Sequence, residues 1–261
     1  MTEMGQSSIT NLSDPSPKIV VLTLERAQDR QARIARLLEE ASITYDFFKG
    51  TDGAGTNNPI VKLYDEKLRI RTKGQSLSPG QLGCFASHYR IWQQCVSERR
   101  SYLVLEDDVT FDPLLLKEFL ASAHEFPEEA GCIRLFDNKT RNHEAIPILS
   151  VGSFTLMRYT KGPMSAMGYY LTPEAAKKFL AQTSPVFLPV DIFMDRYWHN
   201  NVQCCGISPG FVFHDYGFES MIGYSKRLKR RPLSERLFRE LFSLKEHWKR
   251  YRYNQQFKCK N

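Results

Sequence analysis

Short apolar runs alternate with charged stretches of helical periodicity over the first fifty or so residues. Lys18 to Leu24 (KIVVLTL) is a β-branched apolar run that predicts a strand. The charged stretch after it predicts a helix, and Thr44 to Phe48 (TYDFF) predicts a second strand ending in a loop that contains Gly50, Asp52 and Gly53. The helix is indicated by apolar positions at Ile34, Leu37, Leu38 and Ala41. This order resembles a βαβ unit opening an α/β domain.

The clearest helix signal begins at Ser78. Ser78 suits the N-cap, Pro79 suits the first helical position, and Gln81 can complete a capping box. The apolar residues that recur at helical spacing after it are Leu82, Phe85, Tyr89, Trp92 and Val96. Ser101 to Leu105 (SYLVL) then predicts a buried strand, which runs directly into three acids, Glu106-Asp107-Asp108.

Strands and helices continue to alternate beyond the acids. Helices are predicted to open at Thr172-Pro173-Glu174 and to lie near Asp191 to His199. Strands are predicted at Cys132 to Phe136, Phe154 to Tyr159, Ala166 to Leu171 and Gly210 to Phe213. The pattern predicts one α/β domain with a mixed central sheet over residues 18–225.

The composition is that of a globular chain. Its 261 residues are 42% hydrophobic, and no apolar run approaches the roughly 20 residues that a transmembrane helix needs. Residues 1–17 lack the basic and apolar regions of a secretory signal and are predicted to be a disordered leader. The six cysteines have no CxxC or Cys/His ligand spacing, which favours a reduced, cytoplasmic chain without a zinc site.

The net charge of +7 is concentrated in the C-terminal tail. Residues 226–261 hold 13 Lys and Arg against 3 Glu, so the tail carries +10 and the rest of the chain −3. Apolar residues of the tail recur at helical spacing, at Leu237, Leu241, Leu244, Trp248 and Tyr251, among basic residues. This predicts a basic amphipathic helix suited to the anionic inner face of a membrane.

Two other interpretations of the tail stay open. Its apolar face could pack on the core of the domain, as most amphipathic helices do. Basic and aromatic residues also interleave between Trp248 and Phe257, a pattern that nucleic-acid-binding segments share. Because the body is net acidic and lacks a recognition motif, no specific nucleic acid is expected as a partner.

The acidic triplet is the main candidate for chemistry. Open α/β sheets bind ligands at the carboxyl ends of their strands, and adjacent carboxylates there repel one another unless a cation relieves them. If the chain stays extended, Glu106 and Asp108 point to one side and Asp107 to the other, so the first pair is predicted to hold a divalent metal. The alternative is capping, by Asp108 or Asp112, of a helix that Pro113 begins.

The expected metal is Mg²⁺ or Mn²⁺, because the ligands are hard oxygen atoms. These ions usually keep positions open for phosphate oxygens, so a diphosphate substrate is predicted. His214 follows the predicted strand at Gly210 to Phe213 and would complete the metal shell if the two strands are neighbours. Taken alone, a single histidine is more often a hydrogen-bonded structural residue.

An ordered set of motifs resembles glycosyltransferase family 25, whose bacterial members build lipopolysaccharide or lipooligosaccharide. The resemblance runs through most of residues 18–222. Its blocks are Leu22-Thr23-Leu24-Glu25-Arg26 with Arg30, Thr51-Asp52-Gly53, Leu77-Ser78-Pro79-Gly80-Gln81-Leu82-Gly83-Cys84 with Ser87-His88, Leu105-Glu106-Asp107-Asp108-Val109, Gly168-Tyr169, Pro189-Val190-Asp191 and Pro209 to Asp215. It implies a GT-A-like, Rossmann-type nucleotide-binding fold, a UDP-sugar donor, and inversion at the anomeric carbon.

The resemblance also implies roles for single residues. Glu106-Asp107-Asp108 would be a variant of the DxD motif, and its metal would bridge the donor diphosphate. The donor contacts that it implies are Thr23, Leu24, Arg26, Arg30, Asp52, Gly53, Asp107, Gly168 and Tyr169. Some of them also have an ordinary structural interpretation: surface cations for the arginines, a turn for Asp52-Gly53, and a core strand for Gly168-Tyr169. Thr23 departs from the Asn or Ser associated with its position in the family.

Inverting transfer needs a carboxylate that takes the proton of the acceptor hydroxyl. Asp191, set between apolar residues, is the predicted base, with an N-cap as the alternative. Asp195 lies one helical turn further on and could share its face or pair with Arg196. His88, beside the apolar stripe of its helix, is predicted to order the site rather than react.

The function predicted from all of these features is metal-dependent, inverting transfer of a hexose, galactose first, from a UDP-sugar to a lipid-linked saccharide of lipooligosaccharide or lipopolysaccharide. The chain is expected at the cytoplasmic face of the membrane, bound peripherally through residues 226–261. A nucleotide-sugar hydrolase and a non-catalytic membrane or nucleic-acid binding protein are the alternatives.

Overall fold

The fold opens with a parallel strand–helix–strand unit. In the computed structural model, which describes residues 16–53, 58–140, 142–215, 217 and 233–258, β1 (Lys18–Thr23) is followed by α1 (Gln28–Glu40) and β2 (Asp46–Lys49). β1 pairs in parallel with β2 on one side and with β3 (Tyr102–Glu106) on the other. The predicted βαβ opening is confirmed, and it places the carboxyl ends of β1 and β3 side by side.

The central sheet is mixed, as predicted. Its order is β2-β1-β3-β8-β5-β9-β7-β6, and β4 and β10 form a separate antiparallel pair. The remaining strands are β4 (Val109–Phe111), β5 (Cys132–Arg134), β6 (Ala145–Val151), β7 (Phe154–Tyr159), β8 (Gly168–Leu171), β9 (Cys205–Ser208) and β10 (Val212–His214). The remaining helices are α2 (Glu66–Lys73), α3 (Pro79–Glu98), α4 (Pro113–Ser122), α5 (Pro173–Ala181), α6 (Val190–Met194), α7 (Tyr197–Asn200) and α8 (Leu233–Lys258).

Helices cover both faces of the sheet. Along β3, Leu103 and Leu105 point into a core shared with α1 and α4, whereas Tyr102 and Val104 point into a second core shared with α3 and α5. A strand buried on both faces needs apolar residues at every position, because neither side meets water. This is why the run that leads into the acidic triplet has no polar alternation.

The capping box predicted for α3 is present. The backbone N–H of Gln81 donates to Ser78 Oγ at 3.1 Å, and the Ser78 N–H donates to Gln81 Oε1 at 3.0 Å. Ser78→Ala is therefore expected to lower the free energy of unfolding by about 1 kcal/mol, measured by urea denaturation. The control is Ser97→Ala at the exposed far end of the same helix, expected to change stability by less than about 0.5 kcal/mol. Equal effects of the two substitutions would contradict a capping role.

Several sequence predictions are revised by the structure. The helix predicted near Asp191 to His199 is two short helices, α6 and α7, broken at Asp195 and Arg196, whose side chains are held by other elements. The strand predicted at Gly210 to Phe213 is shifted to Val212–His214, so that His214 lies within it. Four elements were missed, α2, β4, β6 and β9. The predicted leader lies outside the described residues except for its last two.

The C-terminal helix α8 confirms the predicted basic helix, but its apolar stripe does not pack on the core. Leu233, Leu237, Leu241, Leu244, Trp248 and Tyr251 are 57% to 80% exposed. The helix instead rests on α2 and α7 through its opposite face. The interpretation that the stripe covers the domain is therefore wrong. Among the described residues, no helix is long and apolar enough to cross a bilayer. The division into a domain over 18–225 and a tail over 226–261 stays a prediction.

Candidate functional site

A cavity of about 790 Å³ opens at the carboxyl ends of β1 and β3. This volume is in the range of small-molecule sites, roughly 300–1,000 Å³. The predicted site residues that line it are Thr23, Leu24, Arg26, Arg30, Asp52, Gly53, Glu106, Asp107, Asp108, Asp191 and His214. Cys84 and Ser87 of α3, which belong to the motifs but had no predicted site role, also line the cavity. Lining residues that the sequence did not single out include Arg69 and Gln75 of the α2 region, Met164 and Ser165.

The three acids do not alternate as expected. β3 ends at Glu106, and residues 107 and 108 form a turn before β4. Arg30 of α1 reaches both following carboxylates, with its Nη1 atom 3.1 Å from Asp107 Oδ1 and 3.1 Å from Asp108 Oδ2. The prediction that Asp107 faces away from Asp108 is therefore wrong, because it assumed an extended chain through Asp108, whereas the strand ends at Glu106.

Asp107 serves to hold the site together. It is buried, and Thr23 Oγ1 donates to its Oδ2 atom at 2.6 Å. The end of β1 is thereby fixed to the turn after β3. The Leu24 carbonyl accepts from Gln31 Nε2 at 2.8 Å, which also holds this corner. Thr23 and Leu24 line the cavity, and these hydrogen bonds fix their positions.

Asp108 is the acid of the triplet with a carboxylate oxygen that can still accept a ligand. Burial, and next to it the charge of Glu106, raises the pKa of Asp108, while Arg30 acts against both. Its Oδ1 atom is buried without a hydrogen-bond partner among the described residues. The capping alternative is wrong for Asp108, since Asp112 accepts from the Leu114 and Leu115 N–H groups and caps α4.

His214 is brought near Asp108 by β4, since β10 pairs with β4 and not with β3, the neighbour that the metal hypothesis had assumed. β10 pairs with β4, His214 lies opposite Val109, and the Asp215 N–H donates to the Asp108 carbonyl at 3.0 Å. The charge of His214 acts on Asp108 and lowers its pKa. Glu106, Asp108 and His214 line the same cavity, and the Asp108 oxygen that lacks a partner among the described residues is a donor that suits a divalent cation. Within the described part of the chain, however, the one group of three whose donor atoms lie within 4.8 Å of one another is Cys84, His88 and Glu106.

His88 does not line the cavity, and its ring is held by the Tyr169 hydroxyl. Its ring is fully buried, Nδ1 lies 2.8 Å from the Tyr169 hydroxyl, and Trp92 Nε1 donates to that hydroxyl at 3.3 Å. The other ring nitrogen, Nε2, lies 3.5 Å from Glu106 Oε1. Nε2 makes no hydrogen bond among the described residues, so His88 is fixed through Tyr169 while its other nitrogen faces Glu106, an arrangement compatible with an ordering role. Gly168 and Tyr169 do not line the cavity, and Tyr169 is fully buried, which contradicts the prediction that they contact the donor.

Cys84 lies one helical turn before His88 on α3, close to Glu106. Donor atoms of Cys84, His88 and Glu106 lie within 4.8 Å of one another. The charges of Glu106, Asp191 and Asp108 add to the burial that raises the pKa of the Cys84 thiol. Three donor groups from two elements, α3 and β3, therefore converge here, and the Cys84–His88 pair was not predicted from the sequence.

The loop that carries Asp52 and Gly53 is packed tightly on α3. A Cβ atom on Gly53 would lie 1.5 Å from the Pro79 carbonyl oxygen, and one on Gly83 would lie 2.6 Å from the Gly53 nitrogen. The Thr51 N–H also donates to Ser87 Oγ at 2.8 Å. Gly53 is thus required for a close backbone contact and is more than a turn residue. Asp52 pairs at the cavity rim with Arg26.

Asp191 also lines the cavity. It lies in the first turn of α6, and its side chain does not cap that helix, so the N-cap alternative is wrong. Desolvation raises the pKa of Asp191 to about 6, and the charges of Asp195 and Glu106 act in the same direction. A carboxylate with such a pKa is half ionised near pH 6 and suits general-base chemistry near neutral pH.

Asp195 does not share the cavity with Asp191. Its carboxylate is buried, accepts from Arg134 Nη2 at 3.0 Å, and accepts from the Met164 N–H at 2.8 Å. Arg196, the partner considered from the sequence, binds Glu246 of α8 instead. The pairing with Arg196 is therefore wrong, and Asp195 is a structural residue.

Fold and site together define a class of protein. A mixed α/β sheet with acids at the carboxyl ends of neighbouring parallel strands, beside a cavity of this size, is an α/β protein with an acid-lined ligand site at the strand ends. Sequence comparison gives the family. The profile described as Glycosyltransferase family 25 (LPS biosynthesis protein) matches residues 16–194. The chain belongs to glycosyltransferase family 25.

Individual relatives agree with the family match. The chain is 30% identical over 193 residues to a glycosyltransferase 25 family member of Drosophila pseudoobscura pseudoobscura, covering 67% of this chain and 29% of that protein. It is 26% identical over 184 residues to human procollagen galactosyltransferase 2, covering 68% and 29%. The chain thus spans about three-tenths of the length of these curated relatives.

Proposed function

We propose that this glycosyltransferase moves a hexose, galactose first, from a UDP-sugar to a saccharide acceptor with inversion at the anomeric carbon. The observation that carries the proposal is the convergence of the acidic triplet, His214 and Asp191 on one cavity in a family 25 chain. The name of the human relative, a galactosyltransferase, supports galactose as the first donor to test. A GT-A-like assignment of the fold belongs to the same proposal.

The proposed cation is Mn²⁺ or Mg²⁺, held by Glu106, Asp108 and His214. The test of fit is the unpartnered, buried Oδ1 atom of Asp108 together with the raised pKa of that carboxyl group. When bound, a divalent cation neutralises charge on a leaving diphosphate. Arg30, already placed between Asp107 and Asp108, supplies fixed positive charge beside the same position.

The proposed base is Asp191. As the acceptor hydroxyl oxygen attacks the anomeric carbon, Asp191 takes the hydroxyl proton, and the bond from that carbon to the diphosphate oxygen breaks. UDP leaves with the bonding electron pair. Around the nucleotide, the proposed contacts are the end of β1 at Thr23 and Leu24, Arg26, and the Asp52-Gly53 loop.

The proposed acceptor is a lipid-linked oligosaccharide, and the proposed location is the cytoplasmic face of the membrane. The family description, which names lipopolysaccharide biosynthesis, supports this acceptor. The relatives named procollagen galactosyltransferases indicate that acceptors differ within the family. The acceptor therefore has to be found by experiment.

Calorimetric titration with UDP and UDP-galactose, with and without Mn²⁺, tests the donor site. We expect binding that depends on Mn²⁺ in the wild type and falls at least about tenfold in Asp108→Asn, since a metal ligand is lost. Asp46→Asn is the matched control: the same chemical change at an exposed carboxylate on the start of β2 should leave binding unchanged. Absence of UDP binding in both conditions would overturn the proposal.

Product analysis separates transfer from hydrolysis. A nucleotide-sugar hydrolase would release free galactose at the same rate with and without a saccharide acceptor. The transferase is expected to extend the acceptor and to release little free sugar. If the chain does not bind UDP, and α8 alone binds membranes or nucleic acid as well as the whole chain does, the non-catalytic interpretation replaces the transferase.

A further inference from the structure

One face of α8 is apolar, exposed and continuous. We call the six residues Leu233, Leu237, Leu241, Leu244, Trp248 and Tyr251 the α8 stripe; each is more than half exposed. They fall at 4,4,3,4,3 spacing and so lie along one side of the helix. Single exposed apolar residues are ordinary, but a contiguous apolar strip of this length marks an interaction surface.

The opposite face of α8 is fixed to the domain. Arg196 binds Glu246 through two hydrogen bonds of 2.7 and 3.0 Å, and although burial acts against it, Arg196 holds the pKa of Glu246 below its ordinary value. Phe242 packs edge-on against Phe187 at 5.9 Å between ring centroids. Because this face is anchored, the helix cannot turn its stripe inward without breaking a buried ion pair.

Aromatic and basic contacts extend the anchored face along the whole helix. The guanidinium of Arg71 lies 3.9 Å from the Phe238 ring, near the start of α8. Near its end, Tyr253 packs on Tyr197 at 4.9 Å, and Asn254 Nδ2 donates to the Thr160 carbonyl at 3.1 Å. The stripe is therefore presented outward by a helix that is held along its length.

The charges that flank the stripe are mainly positive. The exposed charged residues of α8 are Arg236, Arg239, Lys245 and Arg252 against Glu240, and Glu240 is paired with Arg239. The stripe also ends in Trp248 and Tyr251, residues that prefer the boundary between water and lipid. Apolar and aromatic side chains bordered by cations complement an anionic lipid surface, where each cation adds attraction.

We propose that α8 lies in the plane of an anionic membrane surface, with the α8 stripe inserted among the lipids and the anchored face holding the domain. The purpose of this membrane contact rests on the proposed function, because the contact brings the site to a lipid-linked acceptor. Beyond the proposed function, it identifies which face of α8 enters the lipids and which face holds the domain. Since α8 packs on α2, and Arg69 in the middle of α2 lines the cavity, the membrane-bound helix adjoins a wall of the site.

The test is binding of the full chain to vesicles of phosphatidylcholine with and without phosphatidylglycerol. We expect binding only to the anionic vesicles, weakened by salt, with a blue shift of Trp248 emission. Leu237→Ser/Leu241→Ser/Leu244→Ser should weaken binding at least about tenfold, because it removes insertion and leaves the charge unchanged. Gln256→Ser, an exposed polar position of α8 outside the stripe, is the control and should bind as the wild type does.

Other outcomes overturn the proposal. Unchanged vesicle binding of the triple variant would show that the stripe is not inserted. A concentration-dependent dimer in sedimentation velocity, abolished by the triple variant, with no vesicle binding, would assign the stripe to a second copy of the chain. Asp108→Asn should lose donor binding and keep vesicle binding, so failure of the proposed function and failure of this inference are distinguishable.

Discussion

Replacing Asp191 by Asn is expected to lower kcat roughly 10²–10⁴-fold, the usual contribution of a general base. Asn keeps the size of the side chain but cannot take a proton. Because Asp191 is neither a proposed metal ligand nor a proposed nucleotide contact, UDP affinity measured by calorimetry should change little. A loss of activity together with an equal loss of UDP binding would contradict the base role.

The pH dependence of the rate gives an independent test of Asp191. Since its pKa is raised to about 6, kcat should fall about tenfold for each pH unit below 6 and level off above it.

The effect of Asp191 on stability has the opposite dependence on pH. A carboxyl group with a raised pKa in the folded state binds protons there more tightly than in the unfolded chain, so its ionisation costs stability as pH rises from about 4 to above 6. Asp191→Asn should therefore melt no lower than the wild type at pH 7.5, which separates lost catalysis from unfolding.

Replacing Asp195 by Asn is expected to lower the free energy of unfolding by about 3–5 kcal/mol, because it leaves a buried cation without its counter-charge. The side chains of Asp195 and Arg134 are only 9% and 4% exposed. The Asn oxygen can still accept from the Met164 N–H, so the loss is assigned to the ion pair. Urea denaturation monitored by circular dichroism measures it.

A matched control uses an exposed ion pair. Glu174→Gln removes one partner of the Lys177–Glu174 pair on α5, whose side chains are 61% and 46% exposed, and should cost less than about 1 kcal/mol. Adding Arg134→Met to Asp195→Asn should restore part of the lost stability, since no buried charge is then unpaired. A small effect of Asp195→Asn alone would contradict the buried-pair interpretation.

Local signals in the sequence were enough for the parts of the site that lie within one element. The capping box at Ser78 and Gln81 depends on residues three apart, and the apolar run before Glu106 reports burial on both sides of β3. Both follow from chain-local geometry, so they could be predicted. The pairing of β10 with β4, which brings His214 to Asp108, was not predicted, because β4 itself was missed and the stated condition concerned the strand before the acids.

Long-range partners could not be derived from spacing. Arg30 and Asp107 are 77 positions apart, and Arg134 and Asp195 are 61 apart. The sequence shows the charges but not which of them meet, because pairing depends on how helices pack on the sheet. The same reason explains the tail: the periodicity of α8 identified its apolar side correctly, yet only the contacts of Glu246 and Phe242 show that this side faces out.

The backbone contact between Gly53 and Gly83 has a consequence for the entropy of binding. With Thr51 also bonded to Ser87, the wall from Thr51 to Gly53 moves only together with the twenty-residue helix α3. A ligand that meets this wall finds its backbone groups already in place, so the conformational entropy of ordering a loop was lost when the chain folded. Part of the affinity at this side of the cavity therefore comes from preorganisation, and larger residues at either glycine would remove it.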